Sequence, residues 1–247
     1  MDGQHIVSFS GGKDSTALLI QMLERKMQVD RIVFADTLYE FPDLYEYINT
    51  VNDYIKKYGD YEIEILKPTR RIEDEVFGKI TRGPRKGEIR GWPLVAFGCY
   101  WSRDIKQKPL NEVCKGNIRY IGIALDEKER RIKDWEEQGF RYPLIDWGWT
   151  EADCLQYLKD INLQNPLYDK FDRLGCYWCP KQSIKSLKVL YREYPELWKK
   201  VLDLDRKIKS VQPDRQFKPD RDLEELSKRF EDELSAEKSQ LSMLEED

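Results

Sequence analysis

Eight residues near the start, Ser8-Phe9-Ser10-Gly11-Gly12-Lys13-Asp14-Ser15, constrain this chain more than any other stretch. They follow the apolar pair Ile6-Val7 and lead directly into the helical run Thr16 to Leu23. A strand that breaks at two glycines and turns straight into a helix aims several backbone N–H groups at one point. The helix dipole adds positive potential there. Gly11 and Gly12 let an anion approach the backbone, Lys13 adds a mobile charge, and Ser10 and Ser15 offer hydroxyls. Asp14 is the telling residue, because a carboxylate inside a phosphate cradle calls for a magnesium ion. The Walker pattern is absent, since valine stands at position 7. A Gly-rich turn that merely caps a helix is the competing reading.

The pattern downstream alternates strand and helix. Residues 31–35 are a short apolar strand of the kind a parallel sheet buries on both faces. Asp36-Thr37 closes it, and Pro42 opens a helix to about residue 57. Strands are expected over 62–66, 119–123 and 142–145, with helices over 94–114 and 150–158. This order predicts an α/β fold, a doubly wound parallel sheet with its ligand at the carboxyl ends of the strands. Residues 67–92 form a long connection carrying Arg70, Arg71, Lys79, Arg82, Arg85, Lys86 and Arg90. A connection of that length is functional or mobile. From residue 182 onward only helices are expected, the last over 220–244, with disorder beyond 235. Two domains follow, an α/β domain 1–181 with the anion-binding loop and a helical C-terminal extension 182–247.

At 247 residues and 40% apolar composition the chain has a real core. No apolar run reaches the length of a membrane span, and the first residues lack a signal peptide's pattern, so a cytoplasmic location is expected. The net charge of −4 confines any nucleic-acid surface to a local patch. His5 is the one histidine, which excludes a His-rich metal site and argues against a Ser-His-Asp triad.

Five cysteines in such a chain argue for reduced thiols or a metal site rather than disulfides. Cys176-Tyr-Trp-Cys179-Pro180 is a Cys-x-x-Cys turn that presents two thiolates to one metal or forms a redox pair. Should the helix carrying Cys99 pack beside it, three soft thiolates meet, which favours an iron–sulfur cluster or zinc. Cys114 lies on the order of 20 Å from Cys99 by helical rise. It would join them only if the helix broke at Pro109. Cys154, among Leu155 and Leu158, reads as a small core residue. Trp92, Tyr100 and Trp101 offer stacking surfaces but more simply pack in the core.

The loop Ser10-Gly-Gly-Lys-Asp-Ser15 resembles the pyrophosphate (PP) loop of the adenine nucleotide alpha-hydrolase superfamily, whose members cut ATP between the alpha and beta phosphates. The later motifs are similar to its phosphoadenosine phosphosulfate (PAPS) reductase-like branch, in phage, bacterial and DNA-phosphorothioation versions. They are Phe34-Ala-Asp-Thr37 with Glu40-Phe-Pro42, then Cys99 through Lys106-Gln-Lys108-Pro109, then Tyr120 through Glu127 with Arg130-Arg131. Tyr142 through Trp147, and Asn165-Pro-Leu-Tyr168 leading to Gly175-Cys-Tyr-Trp-Cys-Pro180, complete the series. The resemblance covers residues 6–183 and implies ATP and Mg2+ as cofactors. It places them on Ser8, Ser10, Gly11, Gly12, Lys13, Asp14, Ser15, Asp36 and Gly122, with Lys13, Asp14 and Ser15 catalytic. It also implies a 4Fe-4S cluster on Cys99, Cys176 and Cys179, with zinc as the alternative. Sulfonucleotide reductases carry a nucleophilic cysteine near the C-terminus, and no cysteine follows Cys179 here. Three thiols fit the sulfur-transferring tRNA enzymes of the superfamily better.

The expected function is therefore an ATP pyrophosphatase that adenylates an acceptor, for sulfur transfer or nucleic-acid modification. A sulfonucleotide reductase using an external thiol is one alternative, and a non-catalytic nucleotide-binding subunit of a defence or modification complex is another. Asp36 reads equally as a helix cap, Gly122 as tight strand packing, and Asp126-Glu127 with Arg130 as an internal pair. The cations between Arg70 and Arg90 suit tRNA or DNA. A sulfur donor or partner protein and assembly into a homo-oligomer or complex are also expected.

Overall fold

The computed structural model describes residues 3–93, 98–133, 136–218 and 220–245. The chain forms two compact units, Met1–Thr69 with Ser102–Cys176, and Arg70–Trp101 with Tyr177–Asp247. These bounds differ from the expected 1–181 and 182–247, because residues 70–101 pack with the C-terminal helices.

The first unit holds one parallel sheet of five strands: β1 (His5–Phe9), β2 (Arg31–Ala35), β3 (Ile63–Leu66), β4 (Ile118–Ile121) and β5 (Phe140–Arg141). Their order across the sheet is β3-β2-β1-β4-β5. The central strands are apolar on both faces; Ile6, Val7, Ile32, Val33 and Phe34 are all essentially inaccessible. At the β3 edge the Arg31 guanidinium grips Glu64 with two hydrogen bonds of 2.8 and 2.7 Å. Helix α1 (Lys13–Glu24) follows β1, and every residue from Ser15 to Leu23 is buried. Helix α2 (Pro42–Ile55) follows β2 with Pro42 in its first turn, as its sequence predicts.

The expected helix over 94–114 lies partly outside the described residues, at 94–97. Its described part is a π-helical segment, Ser102–Gln107, running into α4 (Lys108–Val113). Pro109 lies at the start of α4 and the chain is helical on both sides of it, so the break that Cys114 would need to join the other thiols does not occur. The strand expected over 142–145 is also corrected. Pro143 cannot donate to a ladder, so the strand stops at Arg141 and Pro143–Asp146 turns into a short helix, α5. Helix α6 (Glu151–Asp160) starts on a capping box, with Thr150 accepting from Asp153 N–H while Asp153 accepts from Thr150 N–H. It packs along α1.

The second unit contains α3 (Ile72–Phe77), a β-bridge between Lys79 and Ile89, and α7 (Ile184–Glu193), α8 (Pro195–Val211) and α9 (Leu223–Glu245). The long basic connection is thus built structure, with Ile80 N–H donating to Glu88 O and Gly87 N–H to Ile80 O. Its core is aromatic: Trp92 stands edge-on to both Phe217 and Trp178. Buried Asp205 accepts from Trp92 Nε1 and Phe217 N, each at 2.8 Å, and pairs with Lys209 at 2.9 Å. A carboxylate so satisfied can be buried. Helix α9 runs on to Glu245, past the point where disorder was expected. Among the described residues, no helix is long and apolar enough to cross a membrane.

Candidate active site

Strand order reverses between β1 and β4, and there, at the carboxyl ends of the strands, the first unit opens into a cavity of about 610 Å3. The chain leaves β1 at Ser10 and re-enters helix at Lys13, with Gly11 at φ +72°, a conformation glycine adopts without strain. A side chain at Gly11 would also strike Leu44. The loop is laced internally. Ser10 N–H donates to Ser15 Oγ at 3.1 Å, the two hydroxyls meet at 2.9 Å, and Ser15 Oγ donates to Gly12 O at 3.1 Å.

Ser10, Gly12, Lys13, Asp14, Ser15 and Gly122 line the cavity. Ser8 does not; its hydroxyl accepts from Arg119 Nε at 2.7 Å. Asp36 is turned away as well. Its Oδ1 accepts from Leu38 N–H (2.8 Å) and the Tyr45 hydroxyl (2.7 Å), which ties the turn after β2. It caps that turn rather than α2, whose N-cap is Phe41. Gly122 borders the cavity for a packing reason, since an added Cβ would lie 2.7 Å from Ser15 N and 2.8 Å from Asp14 C.

Acidic groups dominate the far wall. The 310 segment Leu125–Arg130 after β4 places Asp126 over the start of α6, where its Oδ1 accepts Glu151 N–H at 3.1 Å. That bond sets Glu127 and Glu151 beside Asp14, and oxygens of all three carboxylates lie within 4.8 Å of one another. Lys13 Nζ donates to Glu151 and stands 3.5 Å from Asp14 Oδ2. Asp14 Oδ1 is buried with no hydrogen-bond partner. Burial drives the Asp14 carboxyl up to about 6; Lys13 opposes this, and the charges of Glu151 and Glu127 add to it. Burial alone would lower Lys13, but the Glu151 hydrogen bond and Asp14 outweigh it and hold the ammonium above its ordinary value.

Every basic group of the cavity except Arg173 is held by an acid. Lys13 pairs with Glu151, Arg130 with Glu127, and Lys106 with Glu40 at 2.7 Å. Glu40 is buried and also accepts from Thr37 Oγ1 at 3.0 Å. Burial would lower Lys106, yet the Glu40 charge and hydrogen bond keep it raised. Arg173 is exposed and ion-pairs with none of the described residues.

Residues 4–83 match the phosphoadenosine phosphosulfate reductase domain. The adenosine 5'-phosphosulfate reductase of Oceanobacillus iheyensis is 28% identical over 179 residues, covering 68% of this chain and 68% of that protein. Over these residues the chain is similar to the PAPS reductase family. An uncharacterized protein of Methanocaldococcus jannaschii is 32% identical over 211 residues, covering 80% of this chain and 46% of the relative. The chain spans less than half the length of the first curated relatives it matches. Among solved structures, the U34-tRNA thiolase NcsA from Methanococcus maripaludis with its [4Fe-4S] cluster is similar at a TM-score of 0.45 and 16% identity, over 85% of this chain and 74% of its own.

All five cysteines are thiols. Cys114 is buried in an apolar cluster with Ile6 and Val33, and Cys154 is fully buried, so both are core residues. Cys99, Cys176 and Cys179 are each partly accessible. Cys99 and Cys179 belong to the second unit, and Cys176 ends the first. Trp92 and Trp101 are 2% exposed and serve the core, as expected. Tyr100 donates to Gly91 O at 2.8 Å and lies under the Arg90 guanidinium.

Sequence reasoning passed over Glu151 and the roles of Glu40, Lys106 and Tyr168. Glu151 carries a readable signal, as the first residue of a capping-box helix after a strand end. Tyr168 falls in the motif Asn165-Pro-Leu-Tyr168, but only the fold brings it to Lys13.

Proposed function

We propose that this chain is an ATP pyrophosphatase that binds its nucleotide as a divalent-metal complex and adenylates an acceptor. One observation carries the reading. The cavity wall has four basic and five acidic side chains, and its acids already hold three of the bases. A bare polyphosphate has little to gain from such a wall. Asp14, Glu127 and Glu151 fit a hard dication: oxygen donors only, close together, one of them buried without a partner. Bound there, Mg2+ would neutralise charge developing on the leaving pyrophosphate. The carboxylates that would hold it are those that now occupy Lys13 and Arg130, so a metal complex leaves both bases for phosphate oxygens. Loop amides and the Ser10 and Ser15 hydroxyls seat the pyrophosphate end. An acceptor oxygen then bonds to the alpha phosphorus as the bridge to the beta phosphate breaks.

The soft thiols of Cys99, Cys176 and Cys179 suit an iron–sulfur cluster, with zinc as the alternative. In this reading the enzyme acts in the cytoplasm on tRNA or DNA held by cations of the 70–90 stretch, with sulfur from a donor or partner protein. The test is pyrophosphate and AMP formation from ATP and Mg2+ with RNA or DNA present, for wild type and Asp14→Ala. Wild-type turnover that the variant lacks is expected. No pyrophosphate with any acceptor would falsify the reading.

Similarity to a protein named adenosine 5'-phosphosulfate reductase favours a second reading, reduction of a sulfonucleotide by an external thiol. Sulfite release from adenosine 5'-phosphosulfate with a dithiol, independent of Mg2+, would support it over the first.

A further inference from the structure

Asn165 is wholly buried, and its amide spans two segments. Nδ2 donates to Gly11 O at 2.9 Å, and Oδ1 accepts from Leu167 N–H at 2.9 Å. It thereby fastens the 310 turn Pro166–Asp169 onto the glycine loop. That turn lays Tyr168 along the loop. Its hydroxyl accepts Lys13 N–H at 3.0 Å, and the Lys13 ammonium stands 5.6 Å from its ring centroid. A Cβ on Gly12 would lie 3.4 Å from the same hydroxyl.

The consequence concerns the anion cradle. Lys13 opens helix α1, so its N–H is among the amides that an oxyanion at this helix start would use. Here the phenol takes that N–H. Having accepted one bond, the hydroxyl has its proton left to give, and it has no other partner among the described residues. Tyr168 is the tyrosine of the cavity wall. We propose that Tyr168 is a phosphate-binding residue, its phenol donating to the pyrophosphate portion of the nucleotide and relaying the Lys13 amide. Accepting from an amide polarises the O–H and makes it a better donor. Burial raises the phenol's pKa, although the Lys13 amide and ammonium oppose it, so the proton stays in place at neutral pH.

The inference rests on the pyrophosphatase reading, and binding measurements separate the two. ATP, pyrophosphate and adenosine are each titrated calorimetrically in Mg2+ against wild type and Tyr168→Phe, which removes one oxygen and keeps the ring. The variant is expected to bind ATP and pyrophosphate about ten-fold more weakly, the scale of one hydrogen bond to a charged group, and adenosine unchanged. Equal loss for all three ligands makes Tyr168 merely structural and overturns the inference, as does unchanged pyrophosphate affinity. Wild type carrying tyrosine labelled with 13C at Cζ gives a readout that needs no variant. Pyrophosphate shifts one tyrosine signal and adenosine does not; a spectrum unmoved by bound pyrophosphate overturns the proposal. Wild type that binds neither ATP nor pyrophosphate sinks the pyrophosphatase reading and this inference together.

Discussion

Asp14 shows how a carboxylate proposed to hold a metal ion can burden the fold that carries it. Its carboxyl has a folded pKa of about 6 against an ordinary 3.8, so the folded protein holds a proton there that the unfolded chain releases. Between those values stability falls as pH rises, since the folded state binds more protons. By pH 7 the charged form costs on the order of 3 kcal/mol. In chelator, Asp14→Asn should therefore raise the unfolding midpoint at pH 7, with much less effect at pH 4, where Asp14 is already protonated. The same substitution should abolish pyrophosphate release. Thermal unfolding at the two pH values checks it; equal midpoints for variant and wild type at pH 7 would show that the buried carboxylate carries no such cost. At this scale the sequence was legible where chemistry is local. The loop Ser10 to Ser15 announced itself by residue type and spacing. Glu40 and Lys106 did not, because their pairing joins residues 66 positions apart that only the folded sheet brings together.

At the scale of elements, the site depends on one close approach. The end of β4 lies against the first turn of α1, and Gly122 leaves no room for a methyl group between them. The atoms it would meet, Ser15 N, Ser15 Cα and Asp14 C, are backbone or α-carbon and cannot swing aside. Gly122→Ala should push α1 from the sheet, at about 1–3 kcal/mol of stability, and misplace the loop amides. Gly175→Ala is the control, since nothing lies within 4 Å of its added Cβ. Denaturant unfolding and ATP titration of both variants test this, with loss on both measures expected for Gly122→Ala and little change in stability for Gly175→Ala. The strands β1 and β2 and helices α1 and α2 were readable because apolar runs and proline placement act locally. The strand expected over 142–145 was misread because Tyr-Pro-Leu-Ile is apolar enough for a strand, while the backbone of Pro143 forbids a ladder. The alternative readings of Gly122 and Asp36 divide on the same principle. Whether glycine makes room for a ligand or a helix, and whether an aspartate caps or coordinates, depends on a neighbour the local sequence does not name.

At the scale of the molecule, charge decides which macromolecule can approach. A net charge of −4 opposes nucleic acid, so binding would need a local surface that escapes the acidic average. The stretch from Arg70 to Arg90 has seven cations, but the structure does not leave them all available. Arg70 and Arg90 share Glu75, and Arg85 lies between Glu88 and Asp214. Arg71, Lys79, Arg82 and Lys86 are exposed and ion-pair with none of the described residues. The flanking acids thus divide the stretch into a held set and an available set, which the sequence shows only as one basic run. If tRNA or DNA is the acceptor, the available four should each neutralise a phosphate. Replacing them together with alanine should weaken RNA or DNA binding and flatten its salt dependence, by about 0.7–0.9 in the log–log slope for each phosphate no longer neutralised. ATP affinity should be unchanged, because none of the four lines the cavity beside Asp14. Alanine at Arg70 and Arg85 should move the slope far less, since each already spends its charge on a carboxylate. Fluorescence anisotropy of labelled tRNA and DNA across a salt series separates the cases. Equal slopes for wild type and the quadruple variant would remove this stretch as the acceptor surface, while leaving the chemistry at Asp14 where it stands.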